Sequence, residues 1–326
     1  MADPLPRPSD FFVLPLDDGI EWLVKDLLVP NMRPFFRALQ WPVDQILGGF
    51  EAALLAVPFL VFVAVACVLA WRVAGRNIAI FTGVSLLFLD LVGIWDESMT
   101  TLSMVLTSVL FCAVVGIPLG ICAGRSDRFA AGLRPVLDIM QTTPAFVYLV
   151  PVVMLFGVGM VPGVIATIIF SMPPIIRLTN LGIRQVSAEL VEAGHAFGAT
   201  PRQILLEIQI PLALRAILAG LNQTLMLSLS MVVIAALIGA EGLGLIVFQG
   251  IGRLDVGLAA LGGIGIVLIA IVLDRLTQAV GETGGEPRSF RAVFARLSGR
   301  RPAQDMALDA TRPESGGATE PHSHGA

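Results

Sequence analysis

The sequence holds one lysine, Lys25, and three histidines, His195, His322 and His324, and only 14% of its 326 residues are charged. A phosphate-cradling loop ends in Gly-Lys-Ser/Thr, its lysine neutralising the β and γ phosphates. Lys25 sits in WLVKDLL with no glycine loop beside it, so this chain has no such means of hydrolysing ATP. LSGR at 297–300 is a chance likeness to an ATPase signature. No catalytic constellation is present, and His322-Ser-His324 in a polar tail is weak ground for a metal. The three cysteines, Cys67, Cys112 and Cys122, fall inside apolar runs, where they read as small packing residues and imply no disulfide framework. MADPLPRPSD lacks the basic stretch and apolar core of a cleavable signal peptide.

Apolar side chains are abundant instead, at 56%, and the mean hydropathy is +0.83. These values describe an all-α polytopic membrane protein and make nucleic acid an unexpected partner. Runs of about 20 residues, enough to cross roughly 30 Å of hydrocarbon, stand near 52–71, 78–95, 99–123, 136–157, 160–178, 216–239 and 256–274, which gives about seven spans. The fourth and fifth are separated only by the Gly/Pro turn LFGVGMVPG (155–163).

Arginine distribution sets the orientation. With the C-terminus cytoplasmic, the inside loops hold Arg72 and Arg76, then Arg125, Arg128 and Arg134, then Arg177, Arg184, Arg202 and Arg215, then Arg275; the opposite loops between spans hold Arg253. Arg33 and Arg37 in the N-terminal tail argue the other way. The later loops put the N-terminus outside. The first 50 residues, with Pro30, Pro34 and Pro42 between short amphipathic pieces and with Trp22 and Trp41, read as a tail along the outer surface. Residues 51–97 hold the first two spans and 98–280 the transmembrane core. Residues 281–326 turn Gly-, Pro-, Ser- and Arg-rich; within them PRSFRAVFARLSGRRP (287–302) has the pattern of a basic amphipathic helix before a disordered end.

One segment between apolar runs carries unusual charge: EAGHAFGATPRQILLEIQIPLALRAILAG, 192–220. Its local pattern predicts a helix over 188–196, a turn at Gly198, and a second helix capped by Thr200, with Pro201 at its first position and Gln203 reaching back. Ile204, Leu205 and Ile208 share a face before Pro211 interrupts the helix. Two helices meeting at a glycine make a protruding knuckle, though an ordinary amphipathic linker has the same periodicity.

Polar groups inside spans are the other clue. Asp138, Gln141 and Thr142 share a helix face, Pro144 and Pro151 interrupt that helix, and Phe146 and Tyr148 add aromatic faces suited to a quaternary ammonium ion. Broken polar helices line cavities; equally, Asp138 fits the cytoplasmic headgroup level and the prolines a simple kink. Asn222, Gln223, Thr224, Ser228 and Ser230 form a second polar band, open to a path or to helix–helix hydrogen bonding. Asp90 fits a wet boundary. GIPLGICAG (116–124) allows close helix approach.

Glu192, Ala193, Gly198, Ile208, Ile210 and Pro211 match the spacing of the EAA motif, E-A-A-x3-G-x9-I-x-L-P, of ABC importer permeases, departing from it at Gly194 and Ile210. LDIMQTTPAFVYLVPVVMLFGVG (137–159), MPPIIRLTNLGIRQV (172–186), NQTLMLSLSMVVIAALIG (222–239) and GIGRLDVGLAALGG (250–263) further resemble the glycine betaine/L-proline permeases of osmoprotectant uptake. The resemblance implies a type I ABC importer permease fold, with 188–211 as the coupling segment that docks on the ATP-binding subunit and 241–252 as a short gate helix. It implies no cofactor on this chain, ATP and magnesium being bound by the ATPase. The implied partners are two ATP-binding subunits, a periplasmic or lipid-anchored substrate-binding protein, a second copy of the permease and membrane lipids, in a bacterial inner membrane. Choline, carnitine or another amine remains an alternative substrate. An ion-coupled carrier is disfavoured by the absence of an internal repeat, and a gated channel by the absence of a uniform pore-lining series.

Overall fold

In the computed structural model the described residues are 29–283, and helices account for nearly all of them. The tail before residue 29 and the segments after 283, including the basic stretch 287–302, lie outside the described residues. In chain order the helices are α1 (Val29–Ala56), α2 (Phe59–Ala74), α3 (Arg76–Leu91), α4 (Trp95–Arg125), α5 (Asp127–Thr142), α6 (Leu149–Phe156), α7 (Met160–Arg184), α8 (Ala188–Ala196), α9 (Pro201–Ile238), α10 (Leu243–Gly252) and α11 (Val256–Thr283). A 3₁₀ turn, Ala145–Tyr148, links α5 to α6.

Among the described residues four helices are each long and apolar enough to cross a membrane: α4, α7, α9 and α11. Two bent pairs raise the number to six if each counts as one span: α1 with α2, turned by 104°, and α5 with α6, turned by 108°. This is fewer than the seven runs of hydropathy. The expected span 136–157 is broken because Pro144 forces Thr143 out of helical geometry, to ψ 127°. The first two expected spans shrink to α2 and α3, of 16 residues each, which reach about 24 Å at 1.5 Å per residue. The N-terminal tail also differs from its reading as short pieces: α1 runs unbroken through Pro34 and Pro42. Val43 and Leu47, one turn apart, are buried against Met104, Val164 and Ile165, and that packing outweighs the hydrogen bond each proline removes.

The centre of the bundle is α4, α7 and α9. Glycine makes their closeness possible: a Cβ on Gly116, Gly120 or Gly124 of α4 would lie 2.6 Å from Ile175 Cγ2, 2.5 Å from Thr179 Cβ or 2.8 Å from Ile183 Cβ of α7. Helix association in lipid relies on such contact because no hydrophobic force separates helix from tail. The buried hydroxyls of Thr107 and Ser171 are satisfied along their own helices, Thr107 donating to Ser103 O at 2.7 Å and Ser171 to Thr167 O at 2.7 Å. Ser228 on α9 reaches across to Ser171 at 3.1 Å. Trp95 at the start of α4 takes the edges of Phe59 and Phe62, 4.8 and 5.4 Å between centroids, and so holds α2 to the bundle.

These contacts define two ends. Gln40 Nε2 donates to Phe156 O at 2.8 Å, Gly159 N–H to Ile238 O at 2.8 Å, and Leu243 N–H to Thr101 Oγ1 at 2.8 Å, gathering α1, α4, α6, α7, α9 and α10 at one end. The other end holds Arg125, Arg134, Arg177, Arg184 and the helix pair α8–α9. Between α10 and α11, Leu254 adopts φ 54°, a left-handed conformation costing an L-residue roughly 1–2 kcal/mol.

Candidate functional site

The charged segment forms a closed knuckle. α8 spans Ala188–Ala196 as its pattern predicts. It ends where Gly198, at φ 80°, donates its N–H to His195 O at 2.9 Å and Ala199 reaches back to Gly194 O at 3.0 Å. That conformation strains any residue with a Cβ. Thr200 then accepts from Gln203 N–H at 3.4 Å and Gln203 Oε1 accepts from Thr200 N–H at 2.9 Å, the expected reciprocal cap, with Pro201 following.

The second helix is not interrupted at Pro211. A π-helical turn, Ile204–Gln209, precedes it and the helix continues to Ile238. Proline lacks an N–H and crowds the carbonyl four residues back; the wider turn accommodates both defects. Gly194, where the motif has alanine, is buried: a Cβ there would stand 3.0 Å from Ile208 Cδ1 and 3.3 Å from Ile204 Cγ1. Ile204 and Ile208 therefore hold the two arms together. Glu192, Ala193, His195 and Gly198 face outward. At the apex, Phe197 is 92% exposed, with Leu190 and Leu206 also exposed on the two arms. Phe197 was missed by the motif, whose pattern leaves that position free; its place beside the turn glycine is the signal that finds it.

Asp138, Gln141 and Thr142 do share the exposed face of α5. Asp138 is ion-paired with Arg177 of α7, and both are about half exposed. Arg184 of α7 binds Asp127 Oδ1 at 2.6 Å, Asn180 Oδ1 at 2.8 Å and Ala123 O at 2.8 Å. The two arginines clamp α5 against α7 beside a cleft of about 240 Å³ lined by Arg134, Asp138, Arg177 and Asn180 over an apolar floor. Thr142 returns its hydroxyl to Asp138 O at 2.9 Å. Tyr148 donates to Met140 O and sets its ring edge-on to Phe170 at 6.4 Å, whereas Phe146 is exposed.

Asn222 is not part of this group. Its Nδ2 donates to Asp274 Oδ1 at 2.8 Å and its Oδ1 accepts from Thr277 Oγ1 at 2.7 Å, tying α9 to α11. Asp274, an acid inside an apolar run, was overlooked in the sequence, where the adjoining Arg275 makes it read as the run's end. The rest of the second polar band divides: Thr224 and Ser228 are buried between helices, Gln223 and Ser230 exposed. At the far end α10 is a ten-residue helix. Among the described residues no group of three or more His, Cys, Asp or Glu is placed to hold a metal.

The sequence model of a family described as binding-protein-dependent transport system inner membrane component matches residues 116–282. The chain is 56% identical over 273 residues to the glycine betaine/proline betaine transport system permease protein ProW of Escherichia coli (strain K12), covering 82% of this chain and 76% of that protein. It is 45% identical over 278 residues to the glycine betaine transport system permease protein OpuAB of Bacillus subtilis (strain 168), covering 85% and 96%. Against the glycine betaine/carnitine transport permease protein GbuB of Listeria monocytogenes it is 46% identical over 270 residues, covering 82% and 95%. Among solved structures, an inward-facing conformation of the MetNI methionine ABC transporter matches the fold with a TM-score of 0.53 at 21% identity, covering 61% of this chain and 97% of that one.

Proposed function

This chain belongs to the binding-protein-dependent transport system inner membrane components, and from that premise we propose how it works as the permease of an ABC importer of the glycine betaine/proline betaine type. It is a multi-pass inner-membrane subunit without catalytic activity; a partner ATPase supplies the energy.

The observation that carries the coupling mechanism is the knuckle. Phe197 stands at its apex, 92% exposed, on a turn fixed by Gly198 and by the reciprocal cap of Thr200 and Gln203. A rigid projection ending in a desolvatable ring suits a groove on another protein, since aromatic anchors supply much of an interface's energy. Glu192, Ala193, Gly194, Gly198, Ile208 and Pro211 shape this projection, and Phe197 is its contact. Because α9 continues the second arm without a break, displacement of the knuckle is carried along that helix to α10 at the other end.

The knuckle end faces the cytoplasm and the α10 end faces outward, with the N-terminus outside. The arginines of the knuckle end, Arg125, Arg134, Arg177 and Arg184 among them, support this orientation. Two copies of the chain enclose the path, each held by one ATP-binding subunit, and a substrate-binding protein delivers the betaine outside. The face of α5 bearing Asp138, Gln141 and Thr142, with Phe146 and Tyr148 at the bend, borders the path; the charged cleft beside Asp138 and the 108° break between α5 and α6 support this. Asn222 contributes by holding α9 to α11. The test is uptake by vesicles containing this chain and its ATPase, with the substrate-binding protein added: proline betaine should compete with labelled glycine betaine, and methionine should not.

A further inference from the structure

The turn between α10 and α11 contains a residue whose conformation the folding of this chain does not explain. Leu254 is the non-glycine residue with positive φ among the described residues. Its N–H donates to Ile251 O at 3.2 Å and the next N–H, of Asp255, reaches Gly250 O at 2.8 Å. These paired bonds close a helix at a position that glycine ordinarily fills. Leucine bears the steric penalty and receives no packing in return, since its side chain is 90% exposed. Ile251 at 61% and Val256 at 80% extend the same apolar surface. The turn is rigid, because Asp255 Oδ1 accepts from Leu258 N–H at 3.0 Å and so caps α11. Arg253 and Asp255 on either side are exposed, which keeps the turn at a wet boundary and out of the hydrocarbon.

We propose that Leu254, with Ile251 and Val256, is the knob by which this permease receives its soluble substrate-binding protein. The proposal rests on the reading of the chain as a permease. The family is described as binding-protein-dependent, and the turn lies at the end opposite the ATPase-facing knuckle, where such a protein arrives. Arg253 and Asp255 give the knob a rim of both signs, which favours a polar-rimmed apolar socket on a water-soluble protein over an acyl chain. What the knob feels is passed on without slack: a Cβ on Gly244 would lie 2.4 Å from Val232 O of α9, and one on Gly250 would lie 2.4 Å from Ala259 N of α11. Docking at Leu254 thus presses on the two helices that bound α10.

Leu254→Gly separates the knob from the fold, because glycine adopts the turn without strain while removing the side chain. The permease and its ATPase are reconstituted in vesicles and uptake is titrated with glycine betaine-loaded binding protein. The half-saturating concentration of binding protein should rise about tenfold, with maximal uptake regained in excess and the thermal midpoint of the complex equal or higher. An unchanged half-saturating concentration overturns the proposal and leaves the permease reading intact; wild-type uptake indifferent to added binding protein overturns both. In parallel, L254C in a chain whose native cysteines are replaced should crosslink to the binding protein. A crosslink to a second copy of this chain, or none to protein, assigns the knob to a dimer contact or to lipid and contradicts the proposal.

Discussion

A Cβ on Gly194 would stand 3.0 Å from Cδ1 of Ile208, so the two arms of the knuckle meet at a residue with no side chain to spare. The atom it would meet is the mobile end of an isoleucine. Gly194→Ala should therefore be tolerated, with ATP-driven uptake within about twofold of wild type. Gly194→Leu has no such room, and overpacking of this kind costs about 1–3 kcal/mol; uptake should fall sharply while membrane insertion is retained, as judged by quantitative blotting.

Gly198 holds φ 80° with open space around its Cα. Only the backbone opposes a larger residue there. Gly198→Val should open the turn and uncouple the ATPase, seen as uptake lost from a chain still present in the membrane. Undiminished uptake would show that the turn geometry is dispensable.

Phe197 touches little within its own chain. Phe197→Ser should leave the thermal midpoint of the purified permease within about 1 °C, the small effect expected of an exposed substitution, yet prevent co-purification of the ATPase. Loss of thermal stability instead would identify the ring as a packing element.

Gly120 separates α4 from α7 at the closest of their three glycine contacts, 2.5 Å from a built Cβ to Thr179 Cβ. Gly120→Val should force the helices apart, at a cost of about 1–3 kcal/mol, and lower the thermal midpoint in detergent. An unaltered midpoint would mean that the seam relaxes freely.

The face of α5 offers a different readout. Single cysteines at Gln141 or Thr142, in a chain with Cys67, Cys112 and Cys122 replaced, should react with a small water-soluble thiol reagent at rates that differ between ATP-bound and nucleotide-free complexes. Protection in every state would assign that face to packing. Breaking the neighbouring pair with Arg177→Ala should cost little stability, no more than about 1 kcal/mol, because both partners are half exposed.

Much of the knuckle was legible because its determinants are local. The bounds of α8, the turn at Gly198 and the cap of Thr200 with Gln203 depend on residues a few positions apart, and all appear as the pattern predicts. The spans of α4, α7, α9 and α11 were legible from hydropathy for the same reason. What escaped depends on partners far along the chain. Pro42 reads as a break, but Val43 and Leu47 are held by α4 and α7 and the helix persists. Pro211 reads as an interruption, yet a π turn absorbs it. Asn222 is open in the sequence to a path or to helix–helix hydrogen bonding, and its partner Asp274 lies 52 positions later. Leu254 shows nothing in the sequence, since a leucine after a helix carries no mark of a left-handed backbone.

The central claim is that an ATPase acting from the knuckle end drives betaine through this chain. Its most direct measurement is the accumulation of labelled glycine betaine, supplied with its substrate-binding protein, in sealed vesicles holding the chain with or without its ATPase, compared with and without ionophores that collapse every ion gradient. Accumulation above the external concentration should require both the ATPase and ATP and should persist with the ionophores. Accumulation by this chain alone, driven by a sodium or proton gradient and abolished by the ionophore, would contradict the account.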